Sequence, residues 1–297
     1  EALTQVAKEL PTHFANLCDG VIAPSESIAR LLKRRGVTTP ITVVPTGIDV
    51  AAFASADGAA LRKKLKIPAD ALVVGHVGRL AKEKNLGFLA EAVAQFLRTE
   101  PTARFLVVGD GPARDEMKAV FEQHGVADRL ILAGKRVGRV LREAYRAMDV
   151  FVFASTSETQ GMVVAEAMAA KLPVVALNAP GVREVVRDEE NGFLLRSGAS
   201  AEDFAQALVR IAGNRELRQR LSMGARATVT AFSREQCAAR ALALYEEVRR
   251  ATRRRRLFND LHPWQALVQR LGLEWDLLST RTQTIAHAVF GEKAKAS

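Results

Sequence analysis

The chain has 297 residues, is 48% hydrophobic and 26% charged, and carries a formal net charge of +10, a globular composition with room for one large or two medium domains. No run of eighteen apolar residues occurs, which excludes a membrane-spanning helix, and the opening "EALTQVAKEL", with two acids and no apolar core, does not read as a signal peptide. Cys18 and Cys237 stand far apart without metal-ligand spacing and read as reduced structural thiols of a cytosolic protein.

The basic excess is unevenly spread. Residues 1–52 balance, with five Lys/Arg against five Asp/Glu, and residues 233–297 carry 12 against 7, which is half of the net charge in the last fifth of the chain. Its focus is "RRATRRRR", Arg249 to Arg256. That run is open to three readings: a solvated helix end, a patch for anionic lipid, or a nucleic-acid contact. The absence of an aromatic-rich or finger-type motif argues against the last, so nucleic acid is not an expected partner.

In chain order, "GVIAP" and "ITVVP" read as strands flanking the helix "SESIARLLKRRG", with Ser25 as its N-cap. "PTGID", Pro45–Asp49, makes a turn into a polar, alanine-rich stretch. This single βαβ unit, residues 1–52, is too small to build its own core and reads as the end of another domain with its linker.

From residue 72 the runs "LVVGHV", "FLVVG", "LILAG", "VFVFA", "VVAL" and "GFLL" read as strands. They alternate with helical stretches such as "NLGFLAEAVAQFLR", "ARDEMKAVFEQHG" and "RVLREAYRAM". Fully apolar strands alternating with helices predict an α/β fold over residues 53–232, a Rossmann-like doubly wound parallel sheet. Helices over "AEDFAQALVRIAG" and "RELRQRLSMGARATVTAF" follow, then a long basic helix over 233–256 and a helical tail, 257–297, with Trp264 and Trp275.

Ligands in open α/β sheets sit beyond the carboxyl ends of the strands. Three segments there carry chemistry. In "VGRLAKEKN" Gly78 permits a tight turn, while Arg79 and Lys84 place two cations at the sheet edge. "GDGP", Gly109–Pro112, is a glycine-rich turn in which Asp110 serves as a capping or turn residue. "SETQGMVVAEAMAAKLPVVA" starts a helix at Gly161–Met162, where free amides suit an anion, and two cations with a helix start suit a pyrophosphate.

Glu166 is the residue hardest to explain. Its neighbours Met162, Val163, Val164, Ala165, Ala167, Met168, Ala169 and Ala170 leave the helix without a polar face, so the carboxylate needs a partner in the interior. Ribose hydroxyls would serve, with Glu158 facing another polyol; the alternative is a structural partner within the chain. His76, inside a strand, reads as a packed core residue. A dinucleotide-binding dehydrogenase would need a G-x-G-x-x-G turn followed by an acid, and none is present.

"GRLAKEKN", "GDGP" and "DVFVFASTSETQGMVVAEAMAAKLPVVA" together resemble the carboxyl-terminal part of retaining glycosyltransferases of the GT-B fold, family 4 (group 1). Glu158 and Glu166, with seven residues between them, match that family's paired-glutamate motif, and the likeness runs from about Cys18 to about Tyr245. "SETQG" and "NAPGVREVV" look most like the branch that glycosylates membrane diacylglycerols. Lys171 departs from the family's usual glycine and Ala154 from a common proline.

The resemblance implies transfer of a sugar with retention from a nucleoside diphosphate sugar, a UDP-sugar before others. Arg79 and Lys84 would neutralise the departing diphosphate, and the backbone amides of Gly161, Met162 and Val163 would hold its phosphates. Glu166 would take the ribose, Glu158 the donor sugar, and "GKRV", with Arg136 and Val137, would lie against the base beside the Gly78 turn. No Asp-x-Asp motif occurs, so neither metal nor cofactor is expected. In that family a whole acceptor-binding domain precedes "VIAPSES", so this chain is expected to lack most of it, as a fragment or as one half of a split enzyme. The alternative is a nucleotide-sugar-binding module that is silent without a second chain. The expected location is cytoplasmic, at the inner face of the membrane if Arg249–Arg256 binds anionic lipid. The tail could instead cover the first domain.

Overall fold

The structure, a computed structural model, describes residues 10–261, with side chains to Arg254. Trp264, Trp275 and the tail beyond residue 261 lie outside the described residues. The chain divides into two compact units, one of residues 1–44 and 238–297, the other Pro45–Cys237.

In the first unit β1 (Val21–Ala23) and β2 (Ile41–Val43) pair in parallel, with Val21 opposite Ile41. Between them runs α1 (Glu26–Arg34), opened by the Ser25 hydroxyl, which accepts from the Ile28 amide at 3.3 Å. Glu26 in its first turn and Lys33 and Arg34 in its last complement the helix dipole.

The second unit starts with two short helices, α2 (Val50–Ala54) and α3 (Ala59–Lys64), in the polar, alanine-rich stretch to which no element was assigned. Asp49 caps α2 by accepting from the Ala52 amide at 2.9 Å, and Phe53 and Leu61 are buried. The sheet then builds from β3 (Val73–Val77), β4 (Arg104–Val108), β5 (Leu130–Leu132), β6 (Val150–Phe153), β7 (Val174–Leu177) and β8 (Gly192–Leu195). All pairs are parallel, in the order β5-β4-β3-β6-β7-β8. This is the doubly wound arrangement, whose strand order reverses between β3 and β6.

Covering helices are α4 (Leu86–Thr99), α5 (Arg114–Gln123), α6 (Gly138–Arg146), α7 (Met162–Ala169), α8 (Ala201–Ala212) and α9 (Arg215–Val229). The strand alternation sends Leu106, Phe151 and Val174 into one apolar cluster and Phe105, Val152 and Val175 into the other. Each fully buried Leu or Phe in them stabilises the fold by roughly 1.5–3 kcal/mol. The amino end of the sheet is fixed by Asp149, which accepts from Arg62 at 2.7 Å and from the Val73 amide at 2.8 Å.

Last comes α10 (Arg234–Leu261), longer than the expected 233–256. Arg249–Arg256 lies within it, and Leu242 and Tyr245 on it are exposed. Cys18 is exposed and Cys237 buried, and the two form no disulfide. No helix among the described residues is long and apolar enough to cross a membrane.

Candidate functional site

The turn after β3 and the turn after β4 lock together at the carboxyl edge. Gly78 donates to the Val108 carbonyl at 3.0 Å, Leu80 to the Asp110 carbonyl at 2.9 Å, and Ala113 to the Leu80 carbonyl at 2.9 Å. A Cβ on Gly109, whose φ is +148°, would stand 1.8 Å from the Gly78 carbonyl oxygen. Only glycine permits that approach. Asp110 accepts from the Gly111 amide at 2.9 Å, the turn role expected for it.

Beyond Gly78 a 3-10 turn over Lys82–Lys84 leads into α4. Asn85 at its start has φ +54° and donates from Nδ2 to the Ala154 carbonyl at 3.3 Å. The Ser155 hydroxyl lies 3.1 Å from both the Glu83 and the Ser157 carbonyls, with one proton to share between them. These bonds hold the β3 and β6 ends side by side at the strand-order reversal.

A cavity of about 400 Å³ opens over this edge. Gly78 and Arg79 line it from β3, Gly109 and Asp110 from β4, Lys135 and Arg136 from β5, and Leu141, Val163 and Glu166 from the two helices above. Of the residues expected at a site, it gathers Gly78, Arg79, Arg136, Val163 and Glu166. Arg79 is largely exposed and ion-paired with Glu83. The Arg136 Nε is buried and has no acceptor among the described residues. Val137 is outside the lining and 68% exposed.

Lys84, Glu158 and Gly161 form a second, polar cluster. Lys84 Nζ sits 3.3 Å from Glu158 Oε2, with the side chains 22% and 15% exposed. Glu158 Oε1 accepts from the Thr159 amide at 3.2 Å and the Gly161 amide at 3.4 Å, so a carboxylate of the chain occupies the start of α7. Gly161, at φ +76°, gives that helix no side-chain cap, and the amides of Met162 and Val163 follow as the open donors of its first turn. Gln160, buried, donates to the Thr46 carbonyl at 3.2 Å and fixes the loop before the helix.

Glu166 has the partner its surroundings require. The Tyr145 hydroxyl donates to Glu166 Oε2 at 2.8 Å. Burial raises the Glu166 pKa above the usual carboxylate value, and the Tyr145 hydrogen bond works against the rise. Burial also pushes the Tyr145 phenol well up, with the nearby carboxylate adding to it. Sequence reasoning missed Tyr145, which sits on α6 like any core aromatic; the unpaired need of Glu166 was the signal. Leu141 was missed too, whereas Lys135 falls in the expected "GKRV" segment.

His76 is fully buried, as a core residue. Its Nδ1 lies 3.1 Å from the Val152 carbonyl, Nε2 has no partner among the described residues, and burial, opposed by the Val152 hydrogen bond and helped by Lys84, lowers its pKa to about 4.

A larger cavity, about 480 Å³, lies at the opposite edge, between Asp149, Lys171, Pro173, Arg218 and Met223. Its arginines are already engaged: Arg146 on the Ala170 carbonyl at 2.8 Å and Arg218 on the Ile211 carbonyl at 3.0 Å. Size therefore does not select it. Among the described residues no cluster of His, Cys, Asp and Glu could hold a metal ion.

Residues 57–228 match the model of "Glycosyl transferases group 1", and residues 2–52 that of "Glycosyltransferase Family 4". The chain belongs to the group 1 glycosyltransferases. Within that family it is 28% identical, over 82% of its own length and 62% of the relative's, to an alpha-monoglucosyldiacylglycerol synthase of Acholeplasma laidlawii. It is 33% identical to a GDP-mannose-dependent alpha-mannosyltransferase of Mycobacterium tuberculosis, over 80% of the chain and 59% of that protein. The chain thus spans less than two thirds of either curated relative. Among solved structures it matches HepE of Anabaena in complex with UDP-glucose, with TM-score 0.72, 25% identity, 80% of this chain and 67% of that one. Sucrose-phosphate synthase of Thermosynechococcus elongatus matches with TM-score 0.73, 28% identity, 82% and 62%. The GT-B kind of fold expected from the motifs is the one found.

Proposed function

We propose that the Pro45–Cys237 unit holds the nucleoside diphosphate sugar of a retaining glycosyl transfer, a UDP-sugar in the first instance. The observation that carries this reading is the carboxyl-edge cavity itself. Glu166, held on one carboxylate oxygen by Tyr145, and the Arg136 side chain line it. Lys84 and the open amides of α7 form the adjoining polar cluster.

In this reading ribose hydroxyls donate to Glu166 Oε1, the base lies against Arg136 and Val137, and the diphosphate meets Arg79, Lys84 and the α7 amides. Glu158 then turns from Lys84 to hydroxyls of the sugar. As the bond from sugar to diphosphate breaks, negative charge grows on the leaving oxygen. Donors fixed beforehand stabilise that charge without reorganisation, which is electrostatic catalysis. The chain's own cations do this, with no metal.

The acceptor is proposed to be a membrane lipid or other glycoconjugate. It would be held by the domain to which residues 2–52 correspond, or by a partner chain. The likeness to a diacylglycerol glycolipid synthase supports a lipid, as do Arg249–Arg256 and the exposed Leu242 and Tyr245 on α10. Retention on vesicles containing anionic lipid at low salt, and its loss at high salt, is expected of that surface; no retention at low salt would refute it. A cytoplasmic protein at the inner membrane face follows from the same reading. The second reading, a binding module without activity of its own, would give donor binding without turnover.

Calorimetric titration with UDP, GDP and NAD tests the donor site. One nucleoside diphosphate should bind and NAD should not, and Glu166→Ala should weaken binding strongly. NAD binding, or an unaffected variant, would overturn the reading.

A further inference from the structure

Glu166 can recognise a ribose only if its carboxylate is charged and held still, and neither follows from its own helix. It is partly buried on α7 among apolar neighbours, and burial favours the protonated acid. The neutral acid has lost the charge that makes its oxygens strong acceptors for hydroxyls. A glutamate also has three rotatable side-chain bonds, each of which must be fixed before the oxygen meets its ligand.

Tyr145 supplies what is missing. Its ring is fully buried near the end of α6, edge-on to Phe53 at 5.6 Å and tilted against Phe151 at 5.7 Å. The hydroxyl therefore cannot swing away. It has a single proton and two acceptors within reach, Glu166 Oε2 at 2.8 Å and the Val163 carbonyl at 3.4 Å. The shorter, charge-assisted bond wins. One carboxylate oxygen is tied down inside the protein, on a residue that lines the cavity, which leaves Oε1 as the oxygen for a ligand. Tyr145 itself does not line that cavity.

We propose that Tyr145 is a positioning residue for ribose selection, acting through Glu166 to set the preference of the site for a ribonucleoside diphosphate over its deoxy analogues. This rests on the donor-site reading and assigns the basis of its sugar selectivity to a side chain outside the site. Its hydroxyl never touches the nucleotide.

The test compares whichever of UDP and GDP binds more tightly with its 2′,3′-dideoxy analogue, on wild type, Tyr145→Phe, Glu166→Ala and the double variant, at pH 6 and pH 8. Tyr145→Phe keeps the ring and its packing, and melting temperatures report whether the fold is intact. In Tyr145→Phe the ribonucleotide should bind about tenfold more weakly while the dideoxy analogue changes less than about twofold, so that the preference falls about tenfold. Losing the Tyr145 bond removes what opposes the burial-driven rise of the Glu166 pKa, so the loss should be no smaller at pH 6 than at pH 8. Added to Glu166→Ala, Tyr145→Phe should do nothing more to the preference.

An unchanged preference, or an equal loss for both nucleotides, overturns the positioning role and leaves the donor site standing. No binding of either diphosphate by wild type refutes the donor site, and the inference falls with it.

Discussion

Burying His76 makes the stability of the Pro45–Cys237 unit depend on pH in a way that can be computed. The imidazole is fully buried and its pKa is lowered from 6.5 to about 4. Between those values the unfolded chain binds a proton that the folded chain refuses. The contribution of the neutral imidazole to stability is then complete above about pH 6.5, falls as the pH drops, and levels off once it is lost, below about pH 4. Between pH 7.5 and pH 4.5 this one residue removes about 2.5 kcal/mol. His76→Phe keeps an aromatic ring beside Phe151 and Phe153, whose centroids lie 6.3 and 6.1 Å away, and removes the titration. Urea unfolding followed by far-ultraviolet circular dichroism at the two pH values gives the comparison. The wild type should lose about 2.5 kcal/mol more than the variant on acidification, whatever the substitution costs at pH 7.5. Equal losses, to within about 0.5 kcal/mol, would refute the claim that this histidine is held neutral by burial.

Two further outcomes follow from local geometry. Lys171 has φ +67°, so Lys171→Gly relieves backbone strain and should raise stability by about 0.5–1 kcal/mol, read as a higher urea midpoint; a lower midpoint counts against it. Glu158 competes for Lys84 at 3.3 Å, so Glu158→Gln should tighten binding of inorganic pyrophosphate about threefold, and calorimetry showing weaker binding would deny the competition.

Most of the fold was legible because apolar strands buried on both faces leave long uninterrupted signals. β7 and β8 fall on the expected residues, and the other sheet strands within two residues at either end. The two short helices α2 and α3 were missed because five or six residues are too few to show a period. Lys171 stood out as a departure from glycine, and its left-handed backbone supplies the reason glycine is usual there.

The site was legible residue by residue but not as an arrangement. Glu166 announced an unmet need, yet its partner lies 21 positions away on another helix, and nothing in "LREAYRAM" marks that tyrosine as different from other core aromatics. Lys84 and Glu158 were both singled out, but as ligands for separate parts of one substrate. Their pairing with each other spans 74 positions and depends on β3 and β6 becoming neighbours, which only the strand order provides. Arg79 was expected beside Lys84; its pairing with Glu83, one helical turn on, directs it to the cavity rim instead.

The most direct test is a titration of UDP into the isotopically labelled chain, following backbone amide resonances. The account predicts shifts concentrated at Gly78, Gly109, Arg136 and the Gly161–Val163 amides, at the carboxyl edge of the sheet. Shifts centred instead on Lys171, Arg218 and Met223 at the opposite edge, or none at all, would contradict it.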